Sequence, residues 1–387
     1  MSIVPSQSSL SEVIVALDLG ERVLNLTWAD GYRAAYHYIW LRDNCPCSGC
    51  LHANGQRLVE TSSIPLDIRP SAGSASDGST VNIVWENDGH TSQIPGNWLR
   101  SNSYSEPTRE PRQPQRGLWN SDMMLTLPEC SFQEVSTSDT GLKTWLGMIA
   151  EYGVALLHGV PCVSGTLTEV AELFGYVRET NFGRFFEVRT VADPNNVAYT
   201  NLPLTAHSDN PYRDPVPSLQ LLHCLSSSDI GGDSTVVDGF CVANALRERE
   251  PEKFKLLTTI PVRFRFFDKD TDLDAEVTLI NLSPRGEVDA VRINAPTALP
   301  FDIDFDLMEP FYEAYRTFAL MLESSEFQVC FRLDPGDLYI VDNTRVLHGR
   351  TAFSAAGSRH LQGCYADRDA LLSRLSILRR KTAGSAS

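Results

Sequence analysis

The 387 residues predict a mainly β (α+β) fold, a double-stranded β-helix (jelly roll) with flanking helices, preceded by a small β-rich N-terminal domain. Three observations predict it. Short runs rich in branched and aromatic residues, bounded by Gly, Pro, Asn or Asp, dominate the chain beyond about residue 150. Helical periodicity interrupts them in only two places, so strands and helices do not alternate and a Rossmann-type parallel sheet is disfavoured. A polar, proline-containing stretch separates these runs from an earlier and shorter set.

Taken in order, residues 1–100 form the N-terminal domain, with strand-like runs at 22–28 and 81–85 and a Ser/Gly break at 71–80. Residues 101–128 read as a linker and 129–387 as the jelly-roll domain. That domain opens with helices near 140–152 and 166–174, where Leu142, Trp145, Leu146 and Ile149 recur at helical spacing. Strands are expected at 154–157, 197–204, 219–225, 234–237, 262–267, 277–282, 288–293, 327–333, 338–341 and 361–365. The two interrupting helices are expected near 240–257 and 307–323.

Charge narrows the function classes. Lys and Arg number 33 against 49 Asp and Glu, a net charge of −16, so phosphate backbones and anionic membranes are repelled rather than gathered. The N-terminus lacks the cationic start and apolar run of a secretory signal, and no stretch approaches the length of a membrane span, which makes a cytoplasmic location the expectation. Nine cysteines, three of them (Cys45, Cys47, Cys50) crowded together and the rest scattered, do not make a disulfide framework. The cluster suggests a metal.

The sharpest chemistry lies further on. His207 and Asp209 stand two residues apart, which on an extended chain puts both side chains on one face. His348, following the turn that starts at Asp342, supplies a second imidazole far along the chain, as a closed β-scaffold requires. Two histidines and a carboxylate make a facial triad for iron(II), leaving three of six positions open for a bidentate oxoacid and dioxygen. Arg359, eleven residues after His348, offers a guanidinium fork for the far carboxylate of 2-oxoglutarate. His360 beside it is expected to face the opposite way, and His158 and His223 sit in apolar runs as structural histidines.

Beyond these residues the chain resembles the γ-butyrobetaine dioxygenase and trimethyllysine dioxygenase family of iron(II)/2-oxoglutarate oxygenases over nearly its whole length. The motifs are Trp40-Leu41-Arg42-Asp43-Asn44-Cys45-Pro46-Cys47, Asn196-Val197-Ala198-Tyr199-Thr200, the His207/Asp209 pair, Gly231-Gly232-Asp233-Ser234, Leu347-His348-Gly349-Arg350 and the run from Arg359 to Asp367. The resemblance implies that His207, Asp209 and His348 bind iron, that Arg359 binds 2-oxoglutarate and that Thr235 adds a hydroxyl to the same carboxylate. It implies a structural zinc on Cys45, Cys47, Cys50 and His90, with His52 the nearer alternative. It also implies a homodimer, and ascorbate as the reductant in an assay.

Family members hold a trimethylammonium against aromatic faces, and the resemblance places that cage at Phe182, Phe186, Tyr199 and Tyr365. At the anionic end the pattern departs. Where γ-butyrobetaine hydroxylases carry an asparagine and an arginine, this chain reads Asn294-Ala295-Pro296-Thr297-Ala298. The remaining donors are Asn196, Asn201 and Asn210, with Tyr212, Arg213 and Arg184 close by in sequence. The expectation is hydroxylation of a small trimethylammonium zwitterion, leaning to 2-(trimethylammonio)ethylphosphonate, with γ-butyrobetaine as the alternative. A non-catalytic metal-binding protein is disfavoured because no triad member is lost, and a zinc hydrolase because a catalytic zinc keeps an open position.

Overall fold

The computed structural model describes residues 13–75, 77–105, 116–189, 203–227, 231–352 and 359–384, and divides the chain into two compact units, Met1–Pro114 and Gln115–Ser387. Among the described residues no helix is long and apolar enough to cross a membrane.

The first unit holds two three-stranded antiparallel sheets: β1 (Ile14–Leu19), β2 (Val23–Trp28) and β3 (Arg33–His37), then β4 (Pro70–Ser74), β5 (Thr80–Trp85) and β6 (Thr91–Pro95). Alternation drives both. Leu24, Leu26 and Trp28 from β2 and Val81, Ile83 and Trp85 from β5 point into one shared apolar core while their neighbours face outward. The Ser/Gly run read as a break in fact supplies most of β4, paired to β5 through its backbone.

In the second unit β7 (Glu129–Ser131), β8 (Val154–His158), β9 (Phe186–Arg189), β10 (Leu204–His207), β11 (Leu219–Ser226) and β12 (Ser234–Asp238) come first. The hairpins β13 (Pro261–Phe267) with β14 (Asp272–Thr278), and β15 (Ile280–Leu282) with β16 (Val288–Val291), follow. The last strands are β17 (Val329–Phe331), β18 (Leu338–Asp342), β19 (Val346–Arg350) and β20 (His360–Ala366). They assemble as a six-stranded sheet, β7-β8-β18-β11-β20-β9, and a four-stranded sheet, β10-β19-β12-β17. Residues of one parity bury between the sheets: Val154, Leu156, Tyr339 and Val341 from the first meet Val236 and Val346 from the second. The opposite parity of the larger sheet, Ala155, Leu157, Leu338 and Ile340, packs under helices Asp139–Tyr152, Thr166–Glu172 and Arg368–Gly384. Helices Gly239–Arg249, Pro251–Thr259 and Met308–Leu322 cover the smaller sheet through Val237 and Leu347. This is the jelly roll with flanking helices.

From residue 116 on, the stretch expected as linker is packed into this unit. Trp119 and Met123 are buried, and Asn120 accepts from the Asp122 N–H to start the turn Ser121–Thr126. The Trp119 N–H donates to Asp238, whose carboxylate also accepts two hydrogen bonds from Arg345 at 2.7 and 3.0 Å. Arg345 donates onward to the carbonyls of Gly117 and Glu151. With side chains 2% and 0% exposed, Arg345 and Asp238 are a buried, bonded ion pair that ties the entry segment to the four-stranded sheet and to helix Asp139–Tyr152.

Candidate active site

In the first unit, helix Tyr38–Asp43 ends just before Cys45, and the N–H groups of Cys50 and Leu51 both donate to the Cys47 carbonyl, wrapping the three thiols around one point. His90 sits beyond the β5–β6 turn at Gly89, which takes a left-handed φ of 64°. Its Nε2 lies 3.2, 3.7 and 3.6 Å from the sulfurs of Cys45, Cys47 and Cys50. Tetrahedral bonds from zinc would put sulfur and nitrogen about 3.6 Å apart, so the set fits a closed, structural zinc site. Arg42 donates to the Cys50 sulfur at 3.3 Å and to Asp88 at 3.0 Å, setting a positive charge against three thiolates. His52 stands outside the cluster, its Nδ1 accepting from the Asn54 N–H.

In the second unit the pairing of β10 with β19 sets His207 opposite His348, with ring centroids 4.4 Å apart. One carboxylate oxygen of Asp209, Oδ1, faces both Nε2 atoms, at 3.4 Å from His207 and 3.8 Å from His348. The three ligand atoms form a cluster that could hold a metal ion. His207 Nδ1 lies 2.9 Å from the Thr205 carbonyl, a donation that leaves Nε2 to the cluster. Burial opposes charge on Asp209, yet the two imidazoles and a hydrogen bond from Tyr365 outweigh it and hold the carboxyl well below the usual range. Burial, followed by the charge of His207, pushes His348 down to about 4. His207 is raised, because its bond to Asp209 overcomes the burial. An ionised carboxylate beside a neutral imidazole suits a divalent cation.

The next residue, Asn210, has a left-handed φ of 53°, tolerable for asparagine. This bend turns the chain away immediately after Asp209. Asn343 fixes the other side, accepting from the Asp209 N–H at 2.8 Å and donating to the Asp209 carbonyl at 3.0 Å.

Above the triad opens a cavity of about 280 Å³. Tyr365 packs on Phe186 with centroids 5.2 Å apart, Phe186 on Phe182 at 6.3 Å, Phe182 on Phe266 at 5.5 Å and Phe266 on Tyr212 at 5.2 Å. All five line the cavity. Gly363, opposite Phe186 in the β9–β20 register, makes this possible: a Cβ there would come within 2.4 Å of the Phe186 ring. Phe266 escaped the sequence reading, because nothing in the spacing of β13 shows that its alternating Val262, Phe264 and Phe266 end at this cavity, and Tyr212, expected as a donor for the anionic end, joins the rings instead. Tyr199, Asn196 and Asn201 lie outside the described residues.

Two expectations change. Arg213 does not line the cavity but donates to Asn181, and among the described lining residues there is no Lys or Arg. Thr235 shares its strand parity with Val237, which packs outward, whereas Ser234 and Val236 share the inward parity, Val236 being paired with His348. The inward hydroxyl on β12 is therefore Ser234, which a pairing of β12 with the His348 strand would have revealed. Arg359 has the inward parity of Leu361 and Tyr365, and its Nε donates to the Gly232 carbonyl at 3.2 Å. Arg350, two residues past His348 and likewise inward, is a second guanidinium here, pushed down to about 10 by burial and then by the charge of Arg359. His360 faces the other way, toward Glu187.

Comparison with known proteins places these features in a family. Residues 100–365 match the family described as taurine catabolism dioxygenase TauD, TfdA family, and residues 15–94 match the one described as gamma-butyrobetaine hydroxylase-like, N-terminal. A gamma-butyrobetaine dioxygenase of Pseudomonas sp. (strain AK-1) is 40% identical over 92% of this chain and 94% of its own length. The gamma-butyrobetaine dioxygenase of Homo sapiens is 34% identical over 95% of this chain and 96% of its own. The mitochondrial trimethyllysine dioxygenase of Rattus norvegicus is 32% identical over 89% and 82%. A jelly roll with this triad, and with identities of this size over almost the full length, makes the chain a dioxygenase that belongs to the gamma-butyrobetaine dioxygenase family of TauD/TfdA enzymes.

Proposed function

We propose that the protein is an iron(II)/2-oxoglutarate hydroxylase acting on an unactivated C–H of a small trimethylammonium zwitterion. The observation that carries this reading is the cluster of His207, Asp209 and His348 at the foot of a cavity whose wall includes the arc of five aromatic rings from Tyr365 to Tyr212. His207, Asp209 and His348 would hold iron, and Arg359 the far carboxylate of 2-oxoglutarate. Bound iron with 2-oxoglutarate and dioxygen supplies the oxidising chemistry, releasing succinate and CO₂. The rings of Tyr365, Phe186, Phe182, Phe266 and Tyr212 attract a cation that cannot donate hydrogen bonds, and so fix which C–H lies near the metal.

For the anionic end we favour a carboxylate, as in γ-butyrobetaine. Asn210 Nδ2 is buried beside the cavity without a partner, and Asn294, which donates to the Ser208 carbonyl, and Thr297, which donates to Asn294, add neutral polar groups to the wall. Neutral donors suit a single charge better than a phosphonate dianion, and the 40%-identical relative carries the γ-butyrobetaine name. Small Ala295 and Pro296 on the wall keep 2-(trimethylammonio)ethylphosphonate as the second reading.

Turnover with iron, ascorbate and 2-oxoglutarate against both compounds, scoring hydroxylated product and succinate, tests the proposal. Carnitine formation at a higher kcat/KM than phosphonate turnover is expected, and the reverse order would install the phosphonate. His348→Ala or Asp209→Ala should abolish iron binding and succinate formation, and full activity in either would reject the ligand set. Arg359→Ala should raise the KM for 2-oxoglutarate, by the equivalent of about 1.5–3 kcal/mol for a lost charge-assisted pair.

A further inference from the structure

The two oxygens of Asp209 are treated differently by their surroundings. Oδ1 faces the imidazoles of His207 and His348, while Oδ2 accepts a hydrogen bond from the Tyr365 hydroxyl at 2.7 Å and another from the Gln220 amide. Gln220 is 2% exposed and lies on β11, where it pairs with Tyr365 of β20 in register. Both donors therefore sit on adjacent strands of a rigid, doubly covered sheet.

We infer that Tyr365 and Gln220 are positioning residues that hold Asp209 to one metal-facing oxygen, and that through Tyr365 the same side chain joins the cation cage to the metal ligand. The inference rests on the reading of His207, Asp209 and His348 as iron ligands. A facial triad with a one-oxygen carboxylate fills three of six positions and leaves the three that a bidentate oxoacid and dioxygen need together. A carboxylate free to swing would offer its second oxygen and leave only two. Two hydrogen bonds on Oδ2 oppose that swing, and hydrogen bonds to a charged acceptor are the strong ones. Meanwhile the Tyr365 ring packs on Phe186 at 5.2 Å, so a cation pressed against the ring bears on the group whose hydroxyl steadies Asp209.

Tyr365→Phe keeps the ring and removes the hydroxyl, and Gln220→Met keeps the volume and removes the amide. Titrating the metal-free proteins anaerobically with Fe(II), without substrate, should show each variant binding roughly tenfold more weakly and the double variant weaker still. In turnover, Tyr365→Phe should lower the ratio of hydroxylated product to succinate while the substrate KM stays within about twofold, a split that loss of packing alone would not produce. Each variant is assayed only if its unfolding midpoint in the metal-free state matches that of the wild type, and either single variant suffices. Unchanged Fe(II) affinity in a folded variant overturns the inference. Because the titration needs no organic substrate, it decides the matter even if neither trimethylammonium compound is turned over. Wild-type protein that binds no Fe(II) would overturn the ligand reading and this inference together.

Discussion

Phe266 shows what a single side chain contributes at this site. It touches both Phe182 and Tyr212 and so bridges two parts of the cage that come from distant segments of sequence. Phe266→Leu keeps apolar bulk but removes a π-face, and should weaken quaternary ammonium binding by about 0.5–2 kcal/mol with iron affinity unchanged, as competition binding would show. An unchanged substrate affinity would leave the cation to the other rings. The two clusters that could hold a metal were legible in the sequence because ligand chemistry admits few residue types, so three clustered thiols or a His-x-Asp pair narrow the field at once. Phe266 was not, since an aromatic on an alternating strand looks the same whether it meets core or ligand. Thr235 came from the resemblance alone, and the parity that turns Ser234 inward instead could not be used until the partner strand was known.

At the scale of elements, strands with strong alternation, such as β2 and β5, and continuous apolar runs, such as β8 and β18, were legible, and β4 was not. Pro70, Ser71, Ala72, Gly73 and Ser74 have little strand propensity, and it is the pairing of their backbone with β5 that makes them a strand. Helix Arg368–Gly384 was missed too. Its charged residues mask Leu371, Leu375 and Leu378, which recur on one buried face. The end of β8 carries a pH-dependent junction. His158 reaches Asp337 at 2.8 Å and Glu129 at 3.2 Å, and although burial works against it these carboxylates raise the imidazole above its ordinary value. The stabilisation is therefore fully present below the unfolded-state value of about 6.5 and fades as pH rises through the higher folded one. His158→Gln should lower the urea midpoint at about pH 5.5 and much less at about pH 9. Equal losses at both would assign the effect to packing.

For the molecule as a whole, two devices outside the active site are expected to decide stability. Zinc on the four-residue cluster converts metal affinity into folding free energy, so His90→Ala should lower the thermal midpoint more than His52→Ala, and elemental analysis should find one zinc per chain that survives removal of iron. The reverse ranking would mean a different ligand. In the second unit, Asp238→Ala strands the buried Arg345 and should cost about 3–5 kcal/mol in urea unfolding, far above any surface pair. The arc of rings bears on a different matter, the paths by which this scaffold could acquire new substrates. Its two ends are tied to consecutive residues, Tyr365 to Asp209 and Tyr212 to Asn210. Mutational drift in the middle of the arc, at Phe182 or Phe266, can reshape the cation pocket while leaving those ties in place. Changes at its ends would also break the ties to Asp209 and Asn210, so selection for a bulkier or slimmer ammonium group should find its tolerated substitutions at Phe182 and Phe266 long before Tyr365.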